Sequence, residues 1–253
     1  MNYKEEANEI RKTVLKIIFD AQVSHIGSNF SAIDILTVLY NKADFKKDKL
    51  VVSKGWIAAT IYALGVKHKL VPQEAIDTFC KPGSKYIGLI EPLGFFGAEI
   101  AGGSMGLGFP GAIGLALAKK LKKEEGTIYV LMSDGEMQCG TTWESFLIAR
   151  QHNLQNLTII VDNNGFQAMG YTDNILSIDY KRLATRIDEI HYINGHDFKK
   201  IEIAINCKSD LSAPKLIVAN TIKGKGVSFF EGNNIWHYKS PNEEEYQLAL
   251  KEL

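Results

Sequence analysis

The sequence predicts an α/β fold: a single three-layer domain over residues 1–253, with a mostly parallel sheet flanked by helices. Three observations carry this. Residues 127–132 and 157–161 are continuous apolar runs rich in β-branched side chains, as expected of strands buried on both faces. Each run ends in a turn that carries an acid or an amide: Ser133-Asp134-Gly135-Glu136 after the first, Asp162-Asn163-Asn164-Gly165 after the second. Between them, residues 142–153 read as a helix with Trp143, Phe146, Leu147 and Arg150 on one face. A β-α-β unit makes its strands parallel, so both turns fall on the sheet edge where such folds bind ligands.

The remaining elements follow in chain order. Residues 5–23 place Ile10, Val14, Ile17, Ile18 and Ala21 at helical spacing. Residues 31–40 form a second helix, with Ser31 as N-cap and Asp34 three residues on. After the Lys54-Gly55 turn, residues 56–66 continue as helix, and Pro72 opens a short one over 72–79. Residues 81–103, rich in glycine and interrupted by Pro82 and Pro92, read as a loop lying over a site. A helix over 109–123 starts apolar and ends basic. Beyond the β-α-β core come a loop at 169–175, a helix near 179–185, a strand near 189–193, a helix over 199–208 and a strand over 214–220. A glycine loop and a terminal helix from Asn242 close the chain. No repeat, low-complexity tract or linker interrupts it.

Composition excludes several classes. Lys+Arg and Asp+Glu both number 29, so there is no electrostatic case for nucleic acid. No run of about eighteen apolar residues spans a membrane, and the charged N-terminus is not a signal peptide. Cys80, Cys139 and Cys207 form neither a disulfide nor a zinc pattern, which fits a reducing cytoplasm. Gly106-Leu-Gly108-Phe-Pro-Gly111 matches a dinucleotide fingerprint, but no clear strand precedes it and no acidic residue ends a second strand about 20 residues on.

The paired turns suit a divalent metal and a diphosphate. Magnesium takes oxygen ligands and shares them with phosphates. Asp134 offers a carboxylate, Asn164 an amide oxygen, and Phe166 a backbone carbonyl. Gly135 permits close approach of backbone to phosphate. The plain alternative is a pair of loops in which Asp and Asn only cap turns.

The segment 133–167 resembles the thiamine diphosphate signature in its transketolase form: Ser133-Asp134-Gly135-Glu136, Trp143-Glu144, Asn156-Leu157, then Asp162-Asn163-Asn164-Gly165-Phe166-Gln167. Further segments match in the same order: Ser24-His25-Ile-Gly-Ser28 with Ser31 and Asp34, Ser53-Lys54-Gly55, Gly103-Ser-Met-Gly-Leu-Gly108, Thr221-Ile-Lys-Gly-Lys-Gly226 and Trp236-His237. Together they cover essentially the whole chain. The resemblance implies a thiamine diphosphate-binding fold and transfer of a two-carbon ketol unit from a ketose to an aldehyde. It implies thiamine diphosphate with Mg²⁺, or another divalent cation such as Ca²⁺. It assigns the metal to Asp134, Asn164 and Phe166, and the cofactor to Gly103, Met105, Asp134, Gly135, Glu136, Asn164, Ile222 and His237. His25 and His237 take the catalytic, substrate-side positions. The glutamate that activates the cofactor's pyrimidine sits on a second domain in this family. The resemblance therefore implies that this chain is the N-terminal subunit of a split transketolase. The C-terminal subunit is expected on a separate chain, in an A2B2 heterotetramer.

The chain departs from the pattern at several points. Trp56 and Leu89 stand where the family has histidines, and Leu107 where Gln or His is common. Ser133 replaces a glycine. Cys139 replaces a glutamate of a carboxylate network that crosses between subunits. Lost polar groups leave sugar hydroxyls unpaired, so atypical sugar substrates are expected. His68, His152, His191 and His196 lie in no motif and read as structural or exposed. Two alternatives stay open: a subunit of a 2-oxo-acid decarboxylase or carboligase, and a non-catalytic pseudo-subunit.

Overall fold

The computed structural model describes residues 2–179, 189–207 and 213–253. Among the described residues, five strands form one sheet: β1 (Lys49–Val52), β2 (Ile128–Ser133), β3 (Leu157–Asn163), β6 (Glu189–Asn194) and β7 (Lys215–Asn220). Their order is β1-β2-β3-β7-β6, and every pairing is parallel. A small antiparallel hairpin, β4 (Phe166–Gln167) with β5 (Gly170–Tyr171), stands apart from it.

Alternate residues of the strands feed two cores, which makes the three layers. Leu50, Val52, Leu131, Ile160 and Ile217 pack with apolar side chains of α1 (Tyr3–Ala21), α2 (Ile26–Lys42), α3 (Ala58–Lys67) and α8 (Phe198–Asn206). Val51, Val130, Met132, Ile159 and Val218 face the opposite way, onto Phe109 of α5 (Gly108–Lys122) and Phe146 of α6 (Gly140–Gln151). Two-sided burial explains why the central strands are continuously apolar rather than alternating. The short helices α4 (Glu74–Asp77) and α7 (Thr172–Leu176) lie in connections, and α9 (Glu243–Glu252) closes the chain through a reciprocal Asn242–Glu245 capping box.

Some expectations shift. Helix α2 begins at Ile26, not Ser31, so Ser31 is an interior helical residue rather than an N-cap. The reason is His25, whose φ of 74° sets the chain turn just before the helix. The small polar residues that read as a loop are buried within the helix, and Asn29 donates its amide to the His25 carbonyl at 2.9 Å. Strand β1 was not expected; its four residues are too few for a clear periodicity. The stretch 56–66 opens with a 3-10 turn over Gly55–Ile57 before α3. The expected helix near 179–185 falls on residues outside those described, apart from Asp179.

The register brings the strand ends level. Ser133 pairs with Asp162, and Asn163 with Asn220, so the segments that follow β2, β3 and β7 leave the sheet at one edge.

Candidate active site

At that edge the described residues form a cavity. Its walls include His25, Ser53, Lys54, Trp56, Gly103, Met105, Gly135, Asn164, Phe166 and His237. Separate segments converge there: the ends of β1, β2 and β3 bring Lys54, Gly135 and Asn164, the start of α2 brings His25, and loops and a 3-10 turn bring Gly103, Met105 and His237.

Beneath the cavity lies an ion pair that sequence reasoning did not single out. Lys54 Nζ meets Asp162 Oδ2 at 2.5 Å, with side chains 7% and 0% exposed. Ser31 Oγ donates to the same oxygen at 2.7 Å, and Thr221 Oγ1 donates to the other. The pair therefore binds α2, β3 and the segments after β1 and β7 into one unit. Removing one partner strands a buried charge, so Asp162→Ala is expected to cost about 3–5 kcal/mol of unfolding free energy by chemical denaturation. A loss under about 1 kcal/mol would mean Lys54 finds another partner or water.

Asp134 is 3% exposed. Its Oδ1 accepts the Gly135 N–H at 3.0 Å and its Oδ2 the Gly165 N–H at 2.6 Å. Burial, followed by the nearby Asp162 charge, pushes its carboxyl up to about 7 against the opposing pull of Lys54 and these amides. Asn164 accepts the Phe166 N–H on Oδ1 at 3.0 Å and donates to Ser31 Oγ at 3.3 Å. Among the described residues no three His, Cys, Asp or Glu side chains gather as a metal site. The donors present are of another kind: one carboxylate, one amide oxygen and backbone carbonyls. That all-oxygen set suits a hard cation that keeps further ligands from phosphate and water. A Cβ on Gly135 would lie 3.1 Å from Gln167 Cβ, so the two turns touch where the diphosphate is expected.

Glu136 lies below the wall rather than on it. It is fully buried, and its Oε1 accepts from Ser53 Oγ and, at 2.9 Å, from the Gly106 N–H. Desolvation raises its pKa above the usual carboxylate range. It ties three site segments together. Ile222 is also absent from the cavity lining; it is 39% exposed, one residue before Lys223.

The two histidines come together. His25 stacks on Trp56 at 4.6 Å with planes 12° apart, lies against His237 at 4.6 Å and 59°, and shares a hydrogen bond between its Nδ1 and Ser24 Oγ at 2.6 Å. Lys223, almost wholly buried, reaches His237 Nδ1 at 3.0 Å and Asn234 Oδ1 at 2.7 Å. An ammonium donor there makes Nδ1 the acceptor, which leaves the proton of a neutral His237 on Nε2. Burial, then Lys54, lowers Lys223 to about 8. Burial, then Lys223 and Lys54, holds His25 at about 4. Burial, then Lys223, His25 and Lys54, holds His237 at about 3. Both imidazoles are therefore neutral at physiological pH. The unfolded chain takes up these protons near pH 6.5 and the folded chain only near 4 and 3. Stability from this source is complete above pH 6.5 and falls as pH drops toward those lower values. Histidine NMR titration is expected to show neither ring with a midpoint between about pH 5 and 8.

The replaced positions are also placed. Trp56 is 43% exposed, and its Nε1 donates to the Gly103 carbonyl at 3.2 Å. Leu89 packs behind Gly103: a Cβ there would lie 2.7 Å from Leu89 Cδ2, and φ at Gly103 is +111°. Leu107 is exposed and does not line the cavity. Cys139 is the N-cap of α6.

Comparison with known proteins accords with this geometry. Residues 2–253 match the family described as transketolase, thiamine diphosphate binding domain. The chain belongs to the transketolase family. It is similar to a subunit of apulose-4-phosphate transketolase from Actinobacillus succinogenes, 33% identical over 99% of this chain and 95% of that one. It is similar to 6-deoxy-6-sulfo-D-fructose transketolase subunit SqwG of Clostridium sp. (strain MSTE9), 32% identical over 100% of this chain and 96% of that one. The transketolase structure from Campylobacter jejuni superposes with a TM-score of 0.91 at 28% identity, over 99% of this chain. This chain spans only 43% of that transketolase, but it matches the subunit-sized relatives nearly end to end. It is a transketolase-type subunit that carries the family's thiamine diphosphate binding domain. Among the described residues no helix is long and apolar enough to cross a membrane.

Proposed function

We propose that this chain is the cofactor-holding subunit of a split transketolase. It transfers a two-carbon ketol unit from a ketose to an aldehyde, with thiamine diphosphate and a divalent cation, Mg²⁺ or Ca²⁺. The observation that carries the proposal is the convergence of Gly135, Asn164 and Phe166 with His25 and His237 on one cavity, with the Asp134 carboxylate buried just behind the lining and held by the Gly135 and Gly165 amides.

In this reading Asp134 Oδ, Asn164 Oδ1 and the Phe166 carbonyl hold the cation. Gly135, with no side chain, lets its turn approach the diphosphate closely, and Gly103 and Met105 line the path of the rest of the cofactor. The bound cofactor supplies a carbon nucleophile and an electron sink. The protein supplies the rest. Neutral His237 presents its Nε2–H to a substrate oxygen, while Lys223 holds its other nitrogen. His25, fixed between Trp56 and His237 with Ser24 on its Nδ1, offers its Nε2 to hydroxyls and to proton transfer. Glu136 keeps the segments in place from below.

Residues 1–253 form one domain in this proposal, and the pyrimidine-binding domain lies on a separate C-terminal subunit in an A2B2 heterotetramer. Exposed Met169, Tyr171, Ile175 and Leu176, beside the hairpin that carries Phe166, support a partner surface there. Three free cysteines support a cytoplasmic location. The relatives' names point to uncommon sugars, apulose-4-phosphate and 6-deoxy-6-sulfo-D-fructose, and Trp56 on the cavity wall suits a substrate poorer in hydroxyls on that side. The same apolar lip favours a second reading, a 2-oxo-acid donor. Assay of the reconstituted complex with ketose phosphates and with pyruvate separates them. Ketose turnover without pyruvate consumption is expected; the reverse pattern would reject ketol transfer.

A further inference from the structure

We propose that His196, together with Asp34 and Arg11, positions the segment 221–226, and through it Lys223 at the active site. None of the three lines the cavity. They form a closed chain of hydrogen bonds that begins and ends on that segment. The Ile222 N–H donates to His196 Nε2 at 2.8 Å. His196 Nδ1 meets Asp34 Oδ2 at 2.7 Å. Asp34 Oδ1 receives Arg11 Nη2 at 2.7 Å, and Arg11 Nε donates to the Lys225 carbonyl at 2.9 Å.

The chemistry fixes the ring state. A nitrogen that accepts a backbone N–H carries no proton, so His196 is neutral with its hydrogen on Nδ1, donated to Asp34. Arg11 then supplies the cation that Asp34 needs, with both side chains 5% exposed. The circuit is closely fitted. At Gly226, where φ is +104°, a Cβ would lie 3.0 Å from Arg11 Cδ. The clamp grips residues 222 and 225. Between them Gly224 donates to the Gly27 carbonyl at 2.9 Å, and Lys223 extends to His237. Slack at either grip moves the ammonium that orients His237. The clamp itself rests on these contacts alone; its consequence for the cofactor rests on the proposed function.

The test uses the full chain and three variants. His196→Leu removes donor and acceptor, His196→Gln keeps one of each, and Asp34→Asn breaks the link to Arg11 or to His196. Imidazole ¹⁵N NMR is expected to find wild-type His196 protonated on Nδ1. Hydrogen exchange at the Ile222 amide is expected to quicken roughly tenfold in His196→Leu, the effect of one lost hydrogen bond, and much less in His196→Gln. Exchange in β3 serves as the control for folding. Should His196→Leu fail to fold, Asp34→Asn carries the same expectation. Unchanged Ile222 exchange in the folded variant, or His196 protonated on Nε2, would overturn the proposal. In the complex with the partner subunit, thiamine diphosphate and Mg²⁺ are then titrated. Weaker binding in His196→Leu, restored in His196→Gln, supports positioning; equal binding overturns it. If wild type itself does not bind, the cofactor reading fails, while exchange at Ile222 still decides the clamp.

Discussion

Asp134→Ala abolishes Mg²⁺-dependent binding of thiamine diphosphate. Asp134 is the one carboxylate in the proposed ligand set. Its loss leaves Asn164 and a carbonyl, which are neutral dipoles, to hold a doubly charged ion. The expected fall in affinity exceeds roughly 100-fold, since even partners one shell further out cost 10–100-fold when removed. The variant also strands the Gly165 N–H that Asp134 Oδ2 accepts at 2.6 Å. A stability loss of about 1–3 kcal/mol is therefore expected alongside. Asp134→Asn separates the two effects, because the amide oxygen can still accept one of these N–H groups while the charge is gone. Calorimetric titration with and without Mg²⁺ reads the affinity, and melting temperature reads the fold. Binding like wild type in a folded Asp134→Ala would sink the metal assignment.

Trp56→His combined with Leu89→His raises activity on simple ketose phosphates. Both positions flank Gly103, Trp56 by hydrogen bonding to its carbonyl and Leu89 by packing behind it. Trp56 presents carbon on the cavity wall, and Leu89 lies just behind that wall, where a longer polar side chain reaches past Gly103. One restored hydrogen bond is worth about 1 kcal/mol net, and more where an unpaired group is rescued, so a gain of roughly tenfold in kcat/KM is expected. The change removes the Trp56–His25 stack, so part of the gain is offset by a looser His25. Kinetics with an ordinary ketose phosphate against the enzyme's best donor reads the effect as a specificity ratio. No change in that ratio would mean that these two side chains do not face the substrate.

The sheet was legible because β2, β3 and β7 are long, apolar on both faces and bounded by turn residues. The site turns were legible for the same reason: a parallel strand delivers its following residues to a known edge. Strand β1 was hidden by its length. The start of α2 was hidden because Gly27, Ser28 and Asn29 look like a loop, and only the tertiary partners of Asn29 and Ser31 stabilise helix there. Lys54 and Asp162 belonged to quoted motifs, yet their ion pair joins residues 108 positions apart and leaves no local signal. His196 was passed over for the same reason. Its partners come from α1, α2 and the segment after β7, and spacing along the chain cannot join them. Glu136 and Ile222 show the converse: a motif match places a residue near the site without telling whether its side chain faces the cavity.

Calorimetric titration of thiamine diphosphate with Mg²⁺ into this chain, alone and mixed with the protein encoded beside it, tests the split-enzyme proposal most directly. Saturable, metal-dependent binding in the mixture, and none or far less in the chain alone, is the expected result. A stable complex of the two proteins that binds no cofactor at all would contradict it and leave a non-catalytic subunit.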